Sequence, residues 1–202
     1  MKFWNFALAV IVLLISNSVN AAVITYDESV NGDLAGGLSS QTYLGNLDIG
    51  INSISGEYSW TGFLIIDDDT AAFTVSDGHQ INSLFINYDY TPDYQVAIRL
   101  QQDIGNDVYT DILNFNIGLD DPSSLLNFNF ISSDTDILID ASLGVLGSGN
   151  YRLGSYGMGT NGPGPSYLNY KWSMNVSAVP VPAAAWLFGS GLIGLVGFAR
   201  RK

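Results

Sequence analysis

An all-β fold, an antiparallel β-sandwich of jelly-roll-like kind, is what the sequence predicts for residues 23–178, and three observations predict it. Across residues 168–177, Leu168, Tyr170, Trp172, Met174 and Val176 alternate strictly with Asn169, Lys171, Ser173, Asn175 and Ser177. Period 2 held that long marks a strand with one buried and one wet face, as antiparallel sheets have. Shorter windows of the same kind recur along the chain, separated by Gly, Asn, Asp and Ser. Little of the body reads with a helical period.

Taken in order, residues 1–22 read as a signal peptide. Lys2 gives a positive start, residues 6–15 are unbroken apolar, and Val19-Asn20-Ala21 sets small residues at cleavage spacing before Ala22. The expected strands follow. Residues 57–66 carry Tyr58, Trp60, Phe63 and Ile65; residues 71–75 end at the turn Ser76-Asp77-Gly78. Residues 81–88 set Leu84, Ile86 and Tyr88 on one face, and residues 94–101 alternate Val96, Ile98 and Leu100 with Ala97, Arg99 and Gln101. Residues 103–107, with Gly105-Asn106, read as the hairpin connection to a strand at 108–117. Residues 125–131, 137–146 and 150–156 complete the set before the strand at 168–177. The Gly- and Pro-rich residues 157–165 are expected as a loop entering that last strand.

Composition narrows the function. The chain's 19 acidic residues all fall within 23–178, against Arg99, Arg152 and Lys171, so that body carries a formal charge of −16. Such a surface repels nucleic acid and anionic lipid headgroups, and suits neutral polysaccharide or cations. With no cysteine, the domain has neither disulfides nor thiolate chemistry, and its stability must come from its core and any bound ions.

Residues 179–202 have three parts: Val179-Pro180-Val181-Pro182, the uncharged residues 183–199, and the basic cluster Arg200-Arg201-Lys202. Seventeen uncharged residues reach the short limit of a membrane-spanning helix, and the basic end would stay cytoplasmic. The run V-P-V-P-A-A-A-W-L-F-G-S-G-L resembles the PEP-CTERM sorting signal of Gram-negative bacteria, in a subtype reading V-P-[LV]-P-A-A-A-W-L-F-x-S-G-L. The central Glu of the family's Pro-Glu-Pro box is replaced here by Val181. The resemblance covers about an eighth of the chain. It implies that an exosortase recognises Val179, Pro180, Val181 and Pro182 with the helix behind them, cleaves nearby, and passes the body from the inner membrane to the cell surface or matrix. It also implies a bacterium that makes extracellular polysaccharide. A plain single-pass anchor is the alternative.

The body also resembles the pre-peptidase C-terminal type of β-sandwich, in Tyr26-Asp27-Glu28, Gly32-Asp33-Leu34, Leu47-Asp48-Ile49-Gly50, the acidic turn leading into Phe73-Thr74-Val75, Asp77-Gly78, and the closing strand at 170–176. That resemblance implies a non-catalytic appendage of a secreted protein.

Few residues promise chemistry. Asp67-Asp68-Asp69 is the densest acidic group; Asp67 and Asp69 at alternate positions are the candidate calcium ligands, although no closing Glu follows. The bland alternative is a solvated turn that discourages edge pairing. Asp120-Asp121-Pro122 and Asp134-Thr135-Asp136 read as similar turns. Glu28 and Glu57 are the only glutamates available to a hydrolase pair. His79, the sole histidine, reads as a surface turn residue, and no nucleophile elbow or phosphate loop occurs. Among the aromatics, Tyr170 and Trp172 are expected in the core, and Tyr90-Thr91-Pro92-Asp93-Tyr94 as an exposed contact.

The expected protein is therefore an exported, non-enzymatic surface or matrix component without cofactor, processed by an exosortase and associated with exopolysaccharide. A carbohydrate- or calcium-binding module and a secreted hydrolase are the alternatives.

Overall fold

The computed structural model describes residues 23–36, 40–61, 64–67, 69–90, 94–118, 129–130, 136–160, 165–180 and 187–192. In chain order these form β1 (Thr25–Asp27), the helical turn α1 (Glu28–Asn31), β2 (Thr42–Leu47), β3 (Gly50–Thr61), β4 (Leu64–Asp67) and β5 (Thr70–Val75). Then come β6 (His79–Tyr90), β7 (Tyr94–Asp103), β8 (Tyr109–Gly118), β9 (Asn129–Phe130), the turn α2 (Ile137–Asp140), β10 (Gly149–Thr160) and β11 (Pro165–Ala178). The fold is all-β. Residues 187–192 are helical, and Leu187, Phe188 and Leu192 are exposed. No helix among the described residues is long and apolar enough to cross a membrane.

Two sheets result. One runs β1-β3-β11-β6 with β4 added on β3; the other runs β2-β5-β10-β7-β8-β9. β11 is central, antiparallel to β3 on one side (Trp172 opposite Ile54) and to β6 on the other (Trp172 opposite Ile86). The alternation read from its sequence is the alternation of its burial: Leu168, Tyr170, Trp172, Met174 and Val176 are buried, and the residues between them are not. Both sheets feed one core. Ile54, Leu84, Ile86 and Trp172 from the first meet Leu47, Phe73, Val75, Val96, Ile98 and Leu153 from the second. Each such side chain contributes about 1.5–3 kcal/mol by leaving water.

The sheets are mixed, which corrects the expectation of purely antiparallel pairing. β1 pairs parallel with β3, β2 with β5, and β8 with β9. The first two follow from the chain's route. β2 lies in the sheet opposite β1 and β3, so the chain crosses over and returns in the same direction, and β2 and β5 are related likewise across β3 and β4.

Local corrections follow the same logic. The strand expected at 57–66 is two: β3 begins earlier, and after Thr61 the chain returns as β4, with Thr61 opposite Leu64. Residues 137–146 are not a strand. Asp136 caps α2, its Oδ1 accepting from Leu138 N, and only Leu146 bridges to Ile81. Ile137, Leu138 and Leu146 are buried, so apolar spacing that mimics a strand comes from one short turn and one bridge. Residues 157–160 are not loop but the end of β10, paired with β7 from Gly157 opposite Ala97 to Thr160 opposite Tyr94. β5 stops at Thr70 opposite Gly154, so these glycines lie on a stretch paired on one side only, past a bulge between Ser155 and Gly157. Pro165 opens β11. Of the strand expected at 125–131, residues 129–130 form β9 and the others lie outside the described residues.

The β7–β8 connection is the expected hairpin. Val108 N donates to Gly105 O at 3.2 Å, and Asn106 and Asp107 both sit at φ 57°. Two positive φ values in a row make a type I′ turn, which matches the twist of the flanking strands.

Candidate functional site

Two places gather polar side chains from distant parts of the chain. The first lies where β1, α1 and the start of β5 meet β11. Asp27 caps α1, its side chain accepting from Ser29 N, and this turn presents Glu28 toward β3. Glu28 Oε1 accepts from Leu34 N at 3.0 Å and Oε2 from Glu57 N at 2.9 Å. Asp69 is 1 % exposed, and its Oδ2 accepts from the Tyr170 hydroxyl at 2.8 Å. Carboxylate oxygens of Glu28, Asp33 and Asp69 all lie within 4.8 Å of one another. Tyr170 stacks on Tyr58 with ring centroids 4.4 Å apart. Burial, reinforced by Tyr58, Asp69 and Glu28, pushes its hydroxyl far above the ordinary tyrosine range, so Tyr170 is a fixed donor at any neutral pH.

The second place is the outer face of the six-stranded sheet. Register aligns Tyr43 of β2, Ala72 of β5, Arg152 of β10, Gln101 of β7 and Asp111 of β8 in one row across five strands. Ala72 is the small floor between the larger side chains. Beside this row a groove of about 260 Å³ opens, with Gln41, Tyr43, Thr74, Asp103, Tyr109 and Asn150 among its walls and Asp107 at the hairpin end. Its walls are cross-braced. The Tyr43 and Thr74 hydroxyls share a 2.9 Å bond, Thr74 Oγ1 donates to Asn150 Oδ1 at 2.7 Å, and Gln41 Nε2 donates to the Tyr109 hydroxyl at 3.2 Å.

Arg152 lies 3.8 Å over the Tyr109 ring centroid and donates through Nε to Gln101 Oε1 at 2.6 Å; Gln101 passes the chain on to Asp111 Oδ1. Burial draws the Arg152 guanidinium below its ordinary value, offset by Tyr109 and Asp111. Tyr43 nevertheless stays 60 % exposed, and Asn150, Asp107 and Gln41 are exposed. A held yet uncovered aromatic beside amide and carboxylate groups has the chemistry to contact a polar ligand.

Compared with known proteins, the chain matches no family model, no curated protein and no solved structure.

The structure rearranges the residues singled out in the sequence. Asp69 is buried, not on a solvated turn, and its company is Glu28 and Asp33; Asp67 ends β4, and its side chain, with Asp68, lies outside the described set. Asp136 is a cap that also accepts from Leu84 N at 3.2 Å, while Asp120, Asp121 and Asp134 lie outside the described residues. His79 opens β6 half-buried, its N–H donating to Ser76 O. Tyr170 and Trp172 are core, as expected. Residues 91–93, with the side chains of Tyr90 and Tyr94, lie outside the described set. So do 1–22, 181–186 and 193–202, and with them the whole expected signal peptide and most of the expected tail; Val179 and Pro180 are described and lie beyond β11.

Tyr43 and Asp33 escaped the sequence reading as site residues. Tyr43 had no clear signal, since Leu44 beside it is also apolar and residues 42–47 show no polar/apolar alternation. Asp33 was named only within the Gly32-Asp33-Leu34 resemblance, and nothing local marks its approach to Asp69, 36 positions away.

Proposed function

We propose that the chain is an exported surface or matrix protein of a Gram-negative bacterium, delivered as an exosortase substrate and without enzymatic activity of its own. The observation that carries this is the ordered run Val179 to Lys202, box, uncharged stretch and basic cluster. The domain plan belongs to the same reading: signal peptide 1–22, a β-sandwich body 23–178, and a sorting signal 179–202 whose segment 183–199 spans the inner membrane.

The structure supports the plan in two ways. β11 closes the body at Ala178, one residue before the box, and the helical residues 187–192 leave Leu187 and Phe188 exposed. Large apolar side chains left off the core are what a membrane-bound segment needs. A non-enzymatic body is supported by the use made of Glu28. Both of its carboxylate oxygens already accept backbone N–H groups, one of them that of Glu57, so the Glu28 carboxylate is engaged in architecture. No cofactor enters this reading; the processing enzyme and exopolysaccharide are its partners, and the body's charge of −16 argues against nucleic acid.

The test is processing in an exosortase-bearing Gram-negative host. Pro180→Ala with Pro182→Ala, or deletion of residues 200–202, should leave full-length precursor in the inner membrane, read by fractionation and intact mass. Unchanged processing of both variants would replace the exosortase reading with a plain anchor.

The rival with a specific observation behind it is a binding module. The acidic cluster on which this reading rests among the described residues is Glu28, Asp33 and Asp69, where at least three of six oxygens already serve protein donors.

A further inference from the structure

We infer that the groove on the outer face of the six-stranded sheet binds a neutral polysaccharide chain, with Tyr43 and Tyr109 as its aromatic platforms. This deepens the matrix role proposed above, but it stands on the groove alone and its test does not involve sorting.

The first argument is the pairing of flat apolar surface with polar edges. A pyranose ring offers an apolar C–H face and a rim of hydroxyls. Tyr43, 60 % exposed, and Tyr109, half-buried, present ring surface to that groove, and stiff aromatic side chains lose little entropy when covered. Both are held beforehand: Tyr43 by Thr74, Tyr109 by Gln41 and by the Arg152 guanidinium over its ring. Preorganisation of this kind lowers the cost of binding.

The second argument is the hydrogen-bonding inventory. Asn150, Gln41, Asp103 and Asp107 lie around the rings. Carboxylates accept strongly from hydroxyl donors, and the amides both donate and accept, which is the complement of a polyol rim. Asp103 is itself fixed, its Oδ1 accepting from Gly105 N at 2.7 Å, and the type I′ turn behind it places Asp107 at the groove's end.

The third argument is charge and shape. Two carboxylates in the groove and a body of −16 reject sulfated or uronic polymers, which leaves neutral ones. At about 260 Å³ the groove falls below the roughly 300–1,000 Å³ of pockets that enclose a small molecule. A trough this size covers one or two sugar rings of a longer chain.

The experiment is affinity electrophoresis of the full chain, in mild detergent, through gels holding dextran, barley β-glucan or galactomannan, with alginate as the anionic arm. Retardation by at least one neutral polymer is expected and none by alginate. Tyr43→Ala and Tyr109→Ala should each weaken it about tenfold, and Asn150→Ala less. Tyr109→Phe should keep most of it, and Tyr167→Ala, exposed on the other sheet, all of it. Thermal melts check that each variant folds; should Tyr109→Ala fail to fold, the exposed Tyr43→Ala and Asn150→Ala carry the test. No retardation by any of the three neutral polymers, retardation by alginate alone, or retardation indifferent to Tyr43 and Asn150 would each overturn the inference. None of these results bears on processing of the tail, so failure here and failure of the sorting proposal are separable.

Discussion

Replacing Tyr170 by Phe removes one oxygen atom and leaves the ring stacked on Tyr58, so its effect isolates a single buried hydrogen bond. The lost bond is the 2.8 Å donation to Asp69 Oδ2, at a carboxylate 1 % exposed. Hydrogen bonds to charged groups contribute roughly 1.5–3 kcal/mol net, so Tyr170→Phe should cost about 2 kcal/mol. In a domain of this size that lowers the melting midpoint by roughly 4–8 °C.

A second readout separates this from a mere packing change. The Tyr170 hydroxyl is held far above its ordinary value, first by burial and then by Tyr58, Asp69 and Glu28. Below about pH 10 both folded and unfolded chains keep its proton, and the bond's contribution is complete. Above it the unfolded chain releases the proton while the folded chain keeps it. Stability therefore falls by about 1.4 kcal/mol per pH unit from this group, a slope the variant lacks. The wild type's advantage of about 2 kcal/mol should then shrink from pH 10 upward and vanish near pH 11.5. The assay is urea or thermal unfolding of both proteins at half-unit steps from pH 8 to about 11.5. Equal midpoints at pH 8, or a difference that stays constant through the alkaline range, would refute the reasoning.

Two further predictions complete those given with the tail and the groove. Gly154→Ala should destabilise by about 1–3 kcal/mol, because its Cβ would stand 2.9 Å from the Asp69 carbonyl oxygen, a backbone atom unable to yield; chemical denaturation gives the value, and a neutral result would mean that β5 can shift. Calcium and EDTA are expected to leave the melting midpoint within about one degree, since the acidic trio is largely engaged by protein donors. A calcium-dependent rise abolished by Asp33→Asn would hand the trio to the rival, cation-binding reading.

The legibility of this fold in its sequence follows the number of neighbours each strand has. β11 is paired on both sides and buried on one face, so every second position is forced apolar and the pattern is plain. β10 is just as central along its first half, but Gly154, Gly157 and Gly159 carry no side chain to show a period, and its second half read as loop. α2 has four residues, shorter than two helical turns, so Ile137, Ile139, Ala141, Leu143 and Val145 imitate alternation although Ile139 and Val145 are exposed. Parallel edges β1 and β2 owe their direction to crossovers between sheets, which no local pattern records. The two polar sites were less legible still. Glu28 meets Asp69, and Tyr43 comes within one groove of Tyr109, only after the sheets form. Of their supports, local sequence disclosed the Gly-Asn hairpin beside Asp107 but not the cap at Asp27.

The fastening at the end of β11 sets the geometry of release. Val179 N donates to Gly78 O at 2.7 Å, so the chain is pinned to the β5–β6 turn at the first residue of the box. Under the sorting proposal only residues 179–182 separate that pin from the bilayer, a leash of about 14 Å at full stretch. A body of −16 is thereby moored within one or two Debye lengths of the lipid headgroups, each about 8–10 Å. Over an anionic surface it strains outward like a buoy on a short line. Under that proposal, severing the line would turn the repulsion into departure, and the acidity of the body would favour its release.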